Sequence, residues 1–190
     1  MPSRSLPLLF GAALCAAALS GCVIISNVDE DKLPAAWMRE INPPAPRPPQ
    51  GRFASAGLIA RGAKPPVEGR LEWMFLPGQI RDRTPAETIE LATAPDGTFT
   101  ARAWRGGRVV AEVELPGRLD PKTGWLELER IPVKSTNKFG VTVATQSARV
   151  AVGSNGALYV QMSSTEAGVV LFLPAFGTGT VWGRWEPAKP

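Results

Sequence analysis

Short segments in which apolar and polar residues alternate recur along the chain from Gly51 onward. Gly, Pro, Asn and Asp separate these segments, as they separate the strands of antiparallel sheets. No stretch keeps the period of about 3.6 residues that marks an amphipathic helix. The pattern predicts up to ten strands, at Arg52–Ile59, Gly69–Leu76, Glu87–Thr93, Thr98–Trp104, Arg108–Leu115, Gly124–Ile131, Val141–Val152, Leu158–Ser163, Val169–Leu173 and Thr180–Glu186.

Tight connections between these strands predict an all-β domain, an antiparallel up-and-down meander of about eight to ten strands. The sequence leaves two forms open, a lipocalin-like barrel and a curved sandwich. Leu71, Trp73 and Phe75 are predicted to share one face of a strand, with Trp73 in the core. Val169–Leu173 is apolar at every position, which predicts a central strand or one covered on both faces.

One hairpin can be predicted residue by residue. A two-residue turn would place Phe99 opposite Glu114, whereas a three-residue loop at 105–107 keeps the apolar residues of both strands on one face. The loop also places a glycine where a left-handed residue is favoured. Trp104 and Arg108 would then pair on the other face, close enough to stack. The predicted pairs on the apolar face are Ala103 with Val109, Ala101 with Ala111 and Phe99 with Val113.

The first 22 residues have the layout of a secretory signal peptide. Arg4 precedes an apolar run from Leu6 to Leu19, and small residues lead up to Cys22. The run is too short for a transmembrane helix, which needs about 20 consecutive apolar residues. The motif Leu19-Ser20-Gly21-Cys22 resembles the lipobox of bacterial envelope lipoproteins. A signal peptide without lipidation is the alternative.

The lipobox resemblance implies cleavage between Gly21 and Cys22, so that residues 1–21 are removed and Cys22 carries the lipid. The modification in that class is a diacylglycerol thioether together with an amide-linked fatty acid such as palmitate, and two or more acyl chains anchor a protein stably. Val23 stands where an aspartate retains lipoproteins in the inner membrane of enteric bacteria. Val23 at this position therefore implies the outer membrane. We expect the leaflet that faces the periplasm, although the sequence leaves both leaflets open.

Residues 22–50 are predicted to be a lipidated tether followed by a stalk. Pro34 begins a segment that could form one or two helical turns, up to Ile41. The proline-rich run at 42–50 then favours an extended polyproline conformation and a semi-rigid spacer. A ligand for a proline-binding domain is the alternative interpretation of this run. The predicted β domain covers residues 51–187.

Composition excludes several kinds of chemistry. The chain has no histidine, so Ser-His-Asp and Cys-His mechanisms are impossible. Cys15 lies in the predicted signal peptide and Cys22 carries the lipid, which leaves no disulfide and no Cys/His metal site in the mature domain. The formal charge of +4 is not gathered into a basic stripe, which argues against a nucleic-acid partner. Carboxylate-pair hydrolysis stays formally open, although the acidic residues are scattered. We expect no enzymatic activity, cofactor or metal.

Loose motifs along the mature chain resemble a family of uncharacterised proteobacterial lipoproteins. They are Leu33-Pro34-x-x-Trp37, Gly51-Arg52-Phe53, Gly124-Trp125-Leu126-Glu127-Leu128, Asn155-Gly156-Ala157-Leu158-Tyr159-Val160 and Val181-Trp182-Gly183-Arg184-Trp185-Glu186-Pro187. The family implies a lipid-anchored β domain and no particular activity.

Tryptophan and arginine are favoured at protein contacts, which makes five residues candidates for binding: Trp104, Arg108, Trp182, Arg184 and Trp185. Alternation places Trp182, Arg184 and Glu186 on one face of a strand and Trp185 on the other. The competing interpretation is that these side chains fill the core or stack within the fold. Tyr159 has no adjacent histidine or lysine, so catalysis by this residue is not expected.

Together these features predict a non-enzymatic binding module on the cell envelope, anchored by lipid, whose partner is another envelope component such as a protein. The alternative is a lipocalin-like carrier of a small apolar ligand. A carrier would hold its ligand in a cavity lined by inward residues such as Leu71, Phe75, Phe99 and Val113.

Overall fold

The computed structural model of the chain describes residues 23–26, 33–41, 47–61, 65–76, 79–80, 84–137, 140–170 and 173–189. The predicted signal peptide, residues 1–21 with Gly21 at its end, and the predicted lipidation site Cys22 lie outside these residues. The strands are β1 (Val23–Ser26), β2 (Gly51–Ala54), β3 (Ala56–Ala60), β4 (Val67–Arg70), β5 (Thr88–Thr93), β6 (Phe99–Arg105), β7 (Arg108–Leu115), β8 (Gly117–Leu119), β9 (Leu126–Asn137), β10 (Gly140–Val152), β11 (Leu158–Val170) and β12 (Leu173–Trp185). The helices are α1 (Ala35–Ile41) and the single turn α2 (Glu72–Phe75).

The strands form two sheets. The larger has the order β4-β3-β12-β11-β10-β9-β8, with β1 added in parallel alongside β12, and the smaller has the order β2-β5-β6-β7. Apart from β1, neighbouring strands are antiparallel and mostly consecutive in the chain. The prediction of an all-β up-and-down fold is therefore confirmed. The sheets are not closed into a barrel, so of the two predicted forms the structure is the curved sandwich.

Two of the passages of the chain between the sheets are bends at a single residue. Ser55 separates β2, which pairs with β5, from β3, which pairs with β12, so the predicted strand Arg52–Ile59 is two strands. Pro116 separates β7, which pairs with β6, from β8, which pairs with β9. Proline lacks the amide hydrogen that a continuous ladder needs, which favours a bend at this position. Each bent segment therefore changes its pairing partner.

The main hydrophobic core lies between the two sheets. Leu71, Phe75 and Phe99 are at most 1% exposed, and the rings of Phe75 and Phe99 are 5.2 Å apart between centroids. Val113 is partly buried against the same cluster. The four residues that a carrier would use to line a cavity thus pack in or against the core.

A second core covers the outer face of the large sheet, under α1. The amides of Trp37 and Met38 donate to the carbonyl of Pro34, which forms the first turn of the helix. Trp37 and Ile41 are four residues apart, so they point from one side of α1 onto the sheet. They pack with Ala60, Trp125, Ala151, Ala157, Tyr159 and Trp182. The helix predicted from Pro34 to Ile41 is therefore part of the folded domain.

The predicted strand Gly69–Leu76 is wrong in its second half. β4 ends at Arg70, and the chain bends there at the edge of the sheet. The amide of Leu71 donates to the carbonyl of Ser55 at this bend, and the helical turn α2 follows. The helical turn puts Leu71 and Phe75 into the core and points Trp73 the other way. Trp73 is 64% exposed, which corrects its expected place in the core.

The β6–β7 hairpin has a shorter loop than predicted. Gly106 and Gly107 alone form the turn, with φ angles of 55° and 72°. The register shifts between the pairs Ala103–Ala111 and Trp104–Val109, which leaves Val110 as the extra residue of a β-bulge. The bulge shifts the pairing of the two strands by one residue. The prediction had obtained the same shift from a loop of three residues. The apolar residues still share a face, but the predicted pairs are wrong: Phe99 lies opposite Leu115, Ala101 opposite Val113 and Ala103 opposite Ala111.

The apolar segment Val169–Leu173 is not a strand of its own. β11 ends at Val170 and β12 begins at Leu173, so the predicted strand is divided between two strands, which both lie inside the large sheet between β3 and β10. β9, β11 and β12 all extend well beyond the strands predicted at their positions. In the described part of the chain, no helix has the length and apolar character needed to cross a membrane.

Candidate functional site

A polar cluster lies where α1 meets the outer face of the large sheet. Glu40 comes from the last turn of α1, Tyr159 from β11 and Arg184 from β12, while Asn155 lies in the turn between β10 and β11. Antiparallel pairing sets Tyr159 directly beside Arg184 on adjacent strands. We call these four residues the Glu40 cluster.

The carboxylate of Glu40 accepts hydrogen bonds from three sides. Tyr159 Oη donates to Glu40 Oε2, and so do Asn155 Nδ2 at 3.0 Å and Arg184 Nε at 3.2 Å. Arg184 Nε also lies 3.1 Å from Tyr159 Oη. On its outer side Arg184 Nη1 forms an ion pair with Glu186 Oε1 at 2.6 Å. Every member of the cluster therefore has a partner within the protein.

The electrostatics of the cluster favour an ionised Glu40 beside a neutral Tyr159. The pKa of Glu40 is lowered, chiefly by the hydrogen bond from Tyr159 and further by the positive charge of Arg184. The pKa of Tyr159 is raised, first by its burial and then by its hydrogen bond to Glu40. The phenol keeps its proton and donates a hydrogen bond to the carboxylate. This arrangement holds α1 on the sheet.

Backbone contacts bring the end of α1 close to the β10–β11 turn. The amide of Ser154 donates to the carbonyl of Glu40 at 2.9 Å. Gly153 allows this approach, because a Cβ atom there would lie 2.5 Å from the Glu40 carbonyl oxygen and 2.6 Å from Tyr159 Cε2. A side chain at position 153 would thus push α1 off the sheet.

The predicted candidates on β12 are divided between the two cores. Trp182 is 7% exposed and packs edge-on against Trp125 at 6.1 Å, on the same face as Arg184. Trp185 is fully buried in the main core, on the opposite face. The predicted division of faces is therefore confirmed. Arg184 contacts Glu40, Tyr159 and Glu186.

Trp104 and Arg108 lie on the small sheet, away from the candidates on β12. Trp104 is opposite Val109 and Arg108 is opposite Arg105, so the predicted pairing of Trp104 with Arg108 is wrong. The physical reason is the two-residue turn at Gly106-Gly107, which pairs Arg105 with Arg108 and therefore puts Val109 opposite Trp104. Arg52 stacks on Trp104 instead, with its Cζ atom 4.6 Å from the ring centroid.

The structure gives two residues, Glu40 and Trp73, positions that the sequence did not predict. Glu40 gives no signal in the sequence, because its partners Asn155, Tyr159 and Arg184 follow between 115 and 144 residues later. Trp73 was assigned to the core because the residues around it alternate like a strand. Glu72 fits that alternation, so the sequence carries no sign of the bend, and the burial of its carboxylate against the hydroxyl of Ser55 is seen only in the fold.

Comparisons of this chain with protein-family models, with curated proteins and with solved structures found no match. Among the described residues, no group of three or more acidic or cysteine side chains is arranged to hold a metal ion.

Proposed function

We propose that the protein is a lipid-anchored module of the bacterial cell envelope that contacts another envelope protein and carries out no chemistry of its own. The lipobox Leu19-Ser20-Gly21-Cys22 is the observation that carries the proposal. The residue after it, Val23, begins β1, which pairs with β12 of the large sheet. An acyl anchor on Cys22 would therefore hold the domain directly at the membrane surface.

The segment formed by β4 and α2 offers the best surface for a protein partner. Trp73 and Val67 are 64% and 60% exposed, which is unusual for large apolar side chains. Among the described strands β4 pairs only with β3, so it lies at the edge of the large sheet. Exposed tryptophans near a sheet edge are typical of contact surfaces, because the indole buries a large area and loses little side-chain entropy.

Metabolic labelling with an alkyne fatty acid in a bacterial host tests the anchor. We expect the wild-type chain to be labelled and to fractionate with the outer membrane. Cys22→Ser should lose the label, whereas the matched variant Cys15→Ser should keep it, since Cys15 lies in the part that is removed. Equal labelling of wild type and Cys22→Ser, or no label in either, would refute the lipidation.

Photo-crosslinking tests the partner surface. A photoreactive amino acid at position 73 should capture one discrete protein in intact cells, and the same residue at position 109 serves as the control. Val109 is also exposed, at 42%, but lies on the small sheet. A specific adduct from position 73 supports the proposal, and identical adduct patterns from both positions contradict it.

A further inference from the structure

The strand β7 forms one edge of the small sheet. Among the strands that the structure describes, it pairs with β6 and with no other. Val110 is the extra residue of the bulge and Pro116 follows the end of the strand, so the regular part of β7 is Ala111–Leu115. An extended peptide can add to such an edge through main-chain hydrogen bonds.

The main core is incompletely covered at this edge. The inward side chains of β6 are all 0% exposed: Phe99, Ala101 and Ala103. The side chains opposite them on β7 pack against the same core but stay partly exposed: Leu115, Val113 and Ala111. A further strand beside β7 would cover these apolar side chains, and their removal from water favours its addition.

The outer face of the small sheet carries a row of charges that alternate in sign from strand to strand. Each member lies directly opposite the next: Arg52 on β2, Glu90 on β5, Arg102 on β6 and Glu112 on β7. In the first pair, Arg52 Nη2 lies 3.1 Å from Glu90 Oε2. In the last pair, Arg102 Nε lies 2.9 Å from Glu112 Oε2. The row therefore ends with a carboxylate on the edge strand. Glu114, two residues farther along β7, adds a second exposed carboxylate on the same face.

We infer that the β7 edge binds an extended segment of another protein in which basic and apolar residues alternate. A strand added beside β7 would place one basic side chain opposite Glu112 and another opposite Glu114, which continues the alternation of charge across the sheet. Its intervening side chains would point inward beside Val113, where apolar residues extend the core. Main-chain hydrogen bonds would supply affinity, and the alternating side chains would select the segment.

The charges disfavour a second copy of β7 as the added strand. If two copies of Ala111–Leu115 paired in antiparallel fashion along their whole length, Glu112 of each copy would lie opposite Glu114 of the other. Parallel pairing in register would place each glutamate opposite its own counterpart. Like charges directly opposite each other destabilise a strand pair. The occupant that fits this edge is therefore a basic segment.

Binding of a synthetic peptide tests the inference. The probe is a fluorescent peptide in which lysine and valine alternate, and the matched peptide carries glutamate in place of each lysine. Fluorescence anisotropy with the purified full chain gives the dissociation constants. We expect the lysine peptide to bind and the glutamate peptide to show no binding. No binding of the lysine peptide would overturn the inference.

Two double variants separate a local contact from a general effect of charge. Glu112→Gln with Glu114→Gln should weaken binding of the lysine peptide about fivefold, because it removes both pairs of opposite charges. The control is Glu127→Gln with Glu129→Gln, two exposed carboxylates with the same spacing on β9 of the large sheet. Both double variants change the net charge by the same amount. Equal weakening in the two variants would contradict a site on β7.

N-methylated peptides test the backbone pairing. The amides of alternate residues point to the same side of a strand, so methyl groups on the lysine amides block one side of the peptide and methyl groups on the valine amides block the other. One of these two peptides should lose binding while the other keeps it. Equal binding of both would overturn the inference, since charge alone would then hold the peptide.

Hydrogen exchange distinguishes this edge from the β4–α2 surface, which lies at the edge of the large sheet. The bound lysine peptide should slow exchange of amides in Ala111–Leu115 and leave those of Val67–Arg70 unchanged. Protection of Val67–Arg70 alone would place the peptide on the other edge and refute the inference, while it would leave the proposed partner surface intact.

Discussion

Tyr159 and Glu40 are 119 residues apart in the chain, yet the phenol of one donates a hydrogen bond to the carboxylate of the other. This bond joins α1, which precedes the proline-rich run, to the middle of the large sheet. Asn155 and Arg184 complete the contact. The segment predicted to be a tether is therefore fastened to the domain by a polar cluster as well as by the apolar side of the helix.

Removing the phenol hydroxyl should loosen this attachment. We expect Tyr159→Phe to lower the free energy of unfolding by about 1.5 kcal/mol, because it removes a hydrogen bond to a charged group. Urea denaturation measures the change. A double-mutant cycle with Glu40→Gln should give a coupling free energy clearly different from zero, since the two side chains are in contact. Additive effects of the two substitutions would show that the hydrogen bond contributes nothing in solution.

Stability should fall at acidic pH, partly through Glu40. The pKa of Glu40 is lowered from its ordinary value of 4.5. A carboxyl group with a lowered pKa in the folded state contributes stability that is complete above 4.5 and is lost as the pH falls through the folded value. We therefore expect the urea midpoint to decline below about pH 4.5. Glu40→Gln should flatten that decline, and an unchanged pH profile in this variant would contradict the assignment.

The same bond predicts a loss of stability at alkaline pH. The pKa of Tyr159 is raised above its ordinary value of 10.0, mainly by burial. A raised pKa in the folded state contributes stability that is complete below 10.0 and is lost as the pH rises through the folded value. Tyr159→Phe should remove this loss. The check is the urea midpoint measured on both sides of pH 10 for the wild type and the variant.

Truncation of two tryptophans should change the free energy of unfolding by very different amounts. Trp185 is fully buried in the main core, so we expect Trp185→Ala to cost about 3–5 kcal/mol of unfolding free energy. Trp73 is 64% exposed, so Trp73→Ala should change stability by less than about 0.5 kcal/mol. Thermal and urea denaturation of both variants provide the measurement. A large loss in Trp73→Ala would mean that this side chain packs within the domain after all.

The β6–β7 turn offers a stabilising substitution. Both Gly106 and Gly107 have positive φ angles, and a Cβ atom at either position would have nothing within 4 Å. Asn-Gly favours this two-residue turn, and asparagine restricts the unfolded chain more than glycine does. We expect Gly106→Asn to raise the free energy of unfolding by about 0.5 kcal/mol. Gly106→Val is the contrasting variant and should be destabilising, since β-branched residues resist positive φ.

The sequence predicted the all-β class well, because alternation and turn residues are local properties. Phe99, Ala101 and Ala103 occupy one buried face, as their spacing indicated. Alternation gave the wrong prediction at Glu72–Phe75, where apolar and polar residues alternate as in a strand but the chain forms a helical turn. The turn exists because the chain bends around Ser55 at the corner of the sandwich, and that corner is formed by residues that are distant in sequence.

The sequence by itself determined that the domain is rich in strands and that mechanisms requiring histidine are excluded. It also predicted a lipobox that ends at Cys22, which stays a prediction. These follow from residue types and short spacings. Only the tertiary structure decided that the sheets form a sandwich, that α1 covers Tyr159 and that β1 pairs with β12. Each of these depends on pairings between residues more than one hundred positions apart, such as Val23 with Ala175. Because strand pairing is set by global packing and not by local propensity, no short-range pattern could have specified them.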